Sequence, residues 1–269
     1  MSRQKFCVVC MKWGTMYGNE YVNMLHRAVS DHLQVDHDFI CITDNFEGLD
    51  SGIKCRPLDF PQMAQSNWEY GKFPKVLMFD RRIVEGYDAA LFLDLDIMVT
   101  GDLTPLLKIV RDKGGLYLMP KFRGLLWRMI PAAFWDLVPG FMNQVTRGNS
   151  SVVGFVPAEQ FHLYDNFDAA KHHDEYGNDQ NYVSKLAYKR KCYPKNWCIG
   201  LVHLVPYWPF GLIFKTYRKL PDRPKIVIFH GRPNPDELVN DDIGYWSIGR
   251  RHAYGGIGWV ADYLQKYGS

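Results

Sequence analysis

The first hundred residues alternate apolar, strand-like runs with helical stretches, and this pattern narrows the choice of architecture more than any other feature. "KFCVVCMKW" at 5–13 is an apolar run closed by the turn-like "GTMYGNE". Residues 21–33 then set Val22, Leu25, Val29 and Leu33 at helical spacing. "DFICITD" at 38–44 reads as a second strand and "KCRPLDF" at 54–60 as a short third one. "KFPKVLMFDRRIV" at 72–84 carries Phe73, Val76, Leu77 and Val84 on one helical face, with Pro74 tolerated in the first turn. An apolar strand follows at 89–99. Strands apolar on both faces and separated by helices imply an α/β fold with a mostly parallel central sheet covered on both sides. Ligands in such a sheet belong at the C-terminal ends of its strands.

Beyond this point "GGLYLMPK" and "NSSVVGFVP" read as strands, "DQNYVSKLAYK" as a helix and "KIVIFHG" as a last buried strand. No repeat or flexible linker interrupts the 269 residues, and with 47% apolar residues they can close one large core, so a single domain is expected. A net charge of +3 without a basic stripe argues against a nucleic-acid partner. Cysteines are sparse, and no signal peptide precedes Phe6, which makes a reducing cytoplasm the expected compartment. Cys7 and Cys10 have metal-ligand spacing, yet on one strand they face opposite sides, so buried free thiols are expected. No window holds the ~20 apolar residues of a spanning helix. The segment "KFRGLLWRMIPAAFWDLVPGFM" mixes cations with aromatics, as does "HLVPYWPFGLIFKTYRKL". Either could be an acceptor-covering wall or a peripheral membrane contact.

One strand carries an unusual load. In "AALFLDLDIMVTGDL" at 89–103, Asp94 and Asp96 interrupt an apolar run. On a strand the two would share a face, and two close carboxylates repel unless a cation lies between them. Oxygen ligands of this kind suit Mn²⁺ or Mg²⁺.

With that stretch in view, the chain resembles the GT-A glycosyltransferases, most of all the family-8 retaining hexosyltransferases that include glycogenin and bacterial lipooligosaccharide galactosyltransferases. "LFLDLDIMVTGDL" is similar to their Asp-x-Asp segment, and four more segments follow the family's order. "KFPKVLMF" resembles the donor-contacting Lys helix, and "RGNSSVVGFVP" the strand beside the donor sugar. "NDQNYVSKL" resembles the helix start near the reacting carbon, and "IVIFHGRPNP" the closing strand that supplies a metal-binding His. The resemblance implies a Rossmann-like GT-A fold over 1–269, with a nucleotide-binding half at about 1–103 and an acceptor-binding half at about 104–269.

The resemblance further implies transfer of a hexose from a UDP-sugar to a glycan or glycolipid acceptor, with retention. Asp94, Asp96 and His230 would hold Mn²⁺ or Mg²⁺, which stabilises the departing diphosphate. Lys75, Asn149, Ser150 and Gly231 would contact the donor, and Asp179 and Gln180 would lie beside the anomeric carbon. Trp13 and Tyr17 could stack on the base and Thr43 could hydrogen-bond it. Asn178 and Asp179 also suit a plain helix cap. The chain departs from the family pattern at three places. Ile228 stands where the third metal ligand usually sits, with His230 directly before Gly231; Ser151 replaces a Gly; and Asn234 replaces a Lys, leaving Arg232 or Arg223 to meet phosphate charge.

Two other classes compete. A haloacid-dehalogenase-type phosphohydrolase also places Asp-x-Asp after an apolar strand, but its motif opens the fold and has Thr where Met98 stands. A GT-A scaffold kept as a non-enzymatic sugar- or nucleotide-binding module would show losses among its ligands.

Overall fold

The computed structural model describes residues 4–62, 73–122, 145–205, 215–220, 222–229, 231–248 and 251–268. Its strands begin with β1 (Phe6–Lys12), β2 (His37–Thr43), β3 (Ile53–Pro57), β4 (Ala89–Leu93) and β5 (Ile97–Val99). They continue with β6 (Leu116–Phe122), β7 (Val145–Phe155), β8 (Arg190–Cys192), β9 (Cys198–Gly200), β10 (Ile226–Ile228), β11 (Tyr245–Ile248) and β12 (Arg251–Tyr254). A seven-stranded sheet runs in the order β3-β2-β1-β4-β7-β6-β8, beside a three-stranded sheet β5-β10-β9 and the hairpin β11-β12. β1 pairs in parallel with both β2 and β4, whereas β7 is antiparallel to β4 and β6. This is the mostly parallel, helix-flanked sheet expected.

Every residue of β1 is buried, and its period of two divides the interior into two layers. Phe6, Val8 and Cys10 join Val22, Leu25 and Val29 of helix α1 (Asn19–His32), while Cys7, Val9 and Met11 join Phe73, Val76 and Leu77. Each such aliphatic side chain contributes roughly 1.5–3 kcal/mol before chain entropy is subtracted. Cys7 and Cys10 therefore sit in opposite layers as free thiols, and burial pushes both well above the ordinary thiol range.

Three local readings change. The stretch expected as one helix over 72–84 is a 3₁₀ helix, Phe73–Phe79, followed by the short α2 (Arg81–Val84). Asp80 divides them: its backbone is extended, and its carboxylate accepts the Arg82 amide at 2.9 Å as an N-cap. All seven residues of the 3₁₀ turn are buried, not one face only, so Lys75 is carried into the interior.

The strand expected to run through Asp94 and Asp96 stops at Leu93. After a bend the chain resumes as β5 in a different sheet, antiparallel to β10. The two aspartates thus occupy a crossover bend and not one strand face. Finally, β10 is not the last strand, because the β11–β12 hairpin and the helix Gly258–Tyr267 follow it. The aromatic-basic segment at 121–142 lies, apart from its first two residues, outside the described residues, as does 206–214 of the second such segment. Among the described residues no helix is long and apolar enough to cross a membrane.

Candidate active site

The strand order reveals where a ligand fits. From β1 the chain moves outward to β2 and β3, then returns to place β4 on the other side of β1. The β1/β4 boundary is a topological switch point, and crevices open outside the C-terminal ends of strands at such points. A cavity of about 540 Å³ lies there, walled by Met11–Tyr17 after β1, by Asp94–Asp96 after β4, and by Lys75.

The bend bearing the aspartates is held from both sides. The Asp94 amide donates to the Ser151 carbonyl at 3.0 Å, and the Phe229 amide donates to the Asp96 carbonyl at 2.8 Å. Both side chains border the same cavity although no strand face aligns them. The Lys75 ammonium lies 2.6 Å from Asp94 Oδ1 and 2.7 Å from Oδ2. Burial opposes its charge, but Asp94, Asp179 and Asp96 together outweigh that and raise its pKa above the ordinary lysine value. Tyr17 records the same field from across the cavity: burial first, then Asp96 and Asp94, push its phenol up to about 12.

Asp179 approaches this group from the layer that also holds the 3₁₀ turn of Lys75. Asn178 caps the helix Asp179–Leu186, accepting the Asn181 amide at 2.8 Å, which releases Asp179 from capping. Its buried carboxylate accepts the Ser150 hydroxyl at 2.8 Å. Burial raises its pKa, and Lys75 and Ser150 pull it only part of the way back. Ser150 reaches this position because β7 departs from its β6 partner between Val153 and Asn149 to follow β4, a bulge of the kind that re-aims side chains. Asn149 Oδ1 accepts the Ser151 amide at 2.7 Å inside that turn. Gln180 is half-buried in the first helical turn.

Asp94, Asp96, Lys75, Trp13 and Tyr17 are therefore gathered at one cavity, with Ser150 and Asp179 linked to it through Lys75. Thr43 is not among its wall residues: its hydroxyl closes a turn, donating to the Asn45 carbonyl and accepting the Asn45 amide, both at 3.1 Å. Gly231 has φ of +75°, which favours glycine. Arg232 lines a different cavity and lies 3.6 Å from Glu237, and the Asn234 amide donates to that same carboxylate at 2.7 Å. His230 lies outside the described residues.

Sequence reasoning passed over Lys12, which is buried in the cavity wall 3.2 Å from Asp44, whose other oxygen accepts the Gly14 amide at 2.9 Å. Its signal was the one that exposed Asp94, an ionisable group at the end of an apolar strand.

Two hard carboxylates beside a cavity form a donor set suited to Mg²⁺ or Mn²⁺ and unsuited to a soft metal. Among the described residues no third His, Cys, Asp or Glu completes a metal-holding group. The two aspartates fit a divalent ion as part of a set that needs further ligands.

No family model matches the chain, and no curated protein sequence does. Solved structures do. The galactosyltransferase LgtC, in complex with donor and acceptor sugar analogues, is 12% identical and aligns with a TM-score of 0.55 over 97% of this chain and 95% of its own. GlyE, a glycosyltransferase of Streptococcus pneumoniae TIGR4, is 14% identical with a TM-score of 0.55 over 99% of this chain and 61% of its own. The bifunctional glycosyltransferase WbbM is 12% identical with a TM-score of 0.53, over 87% of this chain and 47% of its own. The chain thus spans nearly the whole of LgtC but less than two thirds of GlyE and about half of WbbM. Its fold is that of the GT-A glycosyltransferases, of the LgtC type.

Proposed function

We propose that the chain is a metal-dependent glycosyltransferase, moving a hexose from a UDP-sugar to a glycan or glycolipid acceptor with retention of configuration. The observation that carries this reading is the switch-point cavity where Asp94 and Asp96 meet the buried cation Lys75, with Asp179 behind it. Similarity to LgtC, a galactosyltransferase bound by donor and acceptor sugar analogues, supports the same assignment.

In this reading Asp94, Asp96 and His230, which directly follows Phe229, hold Mn²⁺ or Mg²⁺. When bound, the ion neutralises charge that develops on the leaving diphosphate. Lys75 pairs with Asp94 and adds positive charge on the same side. Trp13 and Tyr17 pack against the base, and Asn149, Ser150 and Gly231 contact the donor. Asp179 orients the sugar, its own position fixed by Ser150. Gln180 stabilises the oxocarbenium-like carbon, and the departing phosphate oxygen takes the acceptor's proton on the same face, so no strong base is needed. The whole chain acts as one catalytic domain working in the cytoplasm, and its aromatic-basic segments serve acceptor or membrane contact.

Calorimetric titration of UDP into the protein, with and without Mn²⁺, tests the assignment. Metal-dependent binding that Asp96→Asn abolishes is the expected result. Failure of every nucleoside diphosphate to bind under Mn²⁺ would defeat the transferase reading and favour a non-catalytic sugar-binding scaffold.

A further inference from the structure

Past the closing strand, the loop at 231–240 and the β11–β12 hairpin enclose a second, open cavity of about 460 Å³. Its polar wall comprises Arg232, Glu237, Asn240, Asp242 and Ser247, and the largely buried Trp246 lies at its base. The Trp246 ring is fixed, because its Nε1 donates to the Gly255 carbonyl at 2.9 Å and it meets Tyr217 edge-on at 5.7 Å. Glu237 is likewise held by the Asn234 amide at 2.7 Å. The side chains of Asn240 and Asp242, by contrast, make no hydrogen bond to other described residues.

Charge selects among occupants. One guanidinium faces two carboxylates, so the wall is net acidic and disfavours a phosphate or nucleotide. Planar amide, carboxylate and guanidinium groups gathered in one open cavity instead suit a neutral, hydroxyl-rich ligand.

The hairpin extends this wall. Tyr245 and Tyr254 stand opposite each other in register and are 57% and 54% exposed. Tyr245 also stacks on His252 with ring centroids 5.6 Å apart and planes 25° apart. Ser247, which lines the cavity, pairs in register with His252, so cavity wall and aromatic face are continuous. Exposed tyrosine rings offer flat apolar surface with a polar edge, which matches the C–H face of a pyranose ring.

This surface adjoins the switch-point cavity. Asp236 accepts the Tyr21 hydroxyl at 2.9 Å, and Tyr21 packs edge-on against Tyr17 at 5.0 Å. The next residue, Glu237, lines the second cavity, so the short turn Asp236–Leu238 stands between the two.

We propose that this second cavity and the Tyr245/Tyr254 face bind neutral sugar units of the acceptor glycan, beyond the unit that receives the hexose. The acceptor role rests on the transferase reading above; the sugar site does not.

The test is a printed array of neutral oligosaccharides probed with the full chain, with UDP and Mn²⁺ present. The best ligand is then titrated into wild type, Asp242→Ala and Tyr254→Ala, with UDP binding measured on each. We expect each substitution to weaken the oligosaccharide by about tenfold, the effect of one contact of ~1.4 kcal/mol, with UDP affinity unchanged. Wild-type affinity for the oligosaccharide in both variants, or no array signal from a wild type that binds UDP, would overturn the proposal. Oligosaccharide binding that both substitutions weaken, in a protein that binds no UDP, would uphold the sugar site and defeat only the transfer reaction.

Discussion

Two lysine–aspartate pairs flank the switch-point cavity and differ in how each is housed. Lys75 and Asp94 are 9% and 15% exposed, with both carboxylate oxygens within 2.7 Å of the ammonium. Lys12 and Asp44 are 7% and 29% exposed, 3.2 Å apart, and Asp44 divides itself between that lysine and the Gly14 amide. Lys75 also serves Asp179 and Asp96, so it is the cation of a cluster of three acids. Lys12 serves a carboxylate that can turn to water. The first arrangement is one that a mutation must break expensively, because its remaining members stay buried; the second can dissolve into solvent.

The largest expected effect follows directly. Lys75→Met should lower unfolding free energy by about 3–5 kcal/mol, the usual result of stranding one half of a buried ion pair. Adding Asp94→Asn to it should restore part of the loss, because the stranded charge is then removed. Urea denaturation of the four proteins in this cycle decides the matter. A single substitution costing less than about 1 kcal/mol would make the two pairs equivalent and undo the contrast.

How far such a site can be read in advance depends on which physical signal marks it. Buried parallel strands are continuous apolar runs, so β1, β2 and β4 are legible, and acids at the end of such a run are conspicuous. Asp94 and Asp96 could be found for that reason, though not the bend that presents them, because β5 leaves the sheet through long-range pairing with β10. Asp80 caps a helix in the middle of an apolar stretch, and periodicity over 72–84 alone does not reveal that break. The sequence offers Thr43 as a hydrogen-bonding partner of the base, and the turn bonds its hydroxyl makes with Asn45 carry no sequence signal of their own. The β11–β12 hairpin did leave a trace, since Tyr245 and Ser247 face outward while Trp246 and Ile248 face inward, an alternation only four residues long.

The intermediate effect concerns the second pair. Lys12→Met should cost about 1 kcal/mol in the same urea measurement, since Asp44 keeps its Gly14 hydrogen bond and gains water. A cost matching that of Lys75→Met would mean that the exposure of Asp44 does not protect it, and the distinction between the pairs would fail.

The smallest effect sets the pH at which the pairs can be compared. His26 and His32 on α1 are half-buried, and burial is the main cause of a pKa below the ordinary 6.5 in each; Asp50 partly opposes the shift at His26, and Lys266 adds to it at His32. A histidine with a depressed folded-state pKa takes up its proton more readily when unfolded. Its contribution to stability is therefore complete above pH 6.5 and is lost as pH falls through that value toward the folded pKa. Solvent screening limits the loss to a few tenths of a kcal/mol per histidine. Wild type should thus be slightly less stable at about pH 5.5 than at about pH 7.5, and the double substitution His26→Gln, His32→Gln should flatten that slope. A slope that survives the double substitution would assign the acid sensitivity elsewhere. The cavity's two ion pairs would then be the first groups to examine.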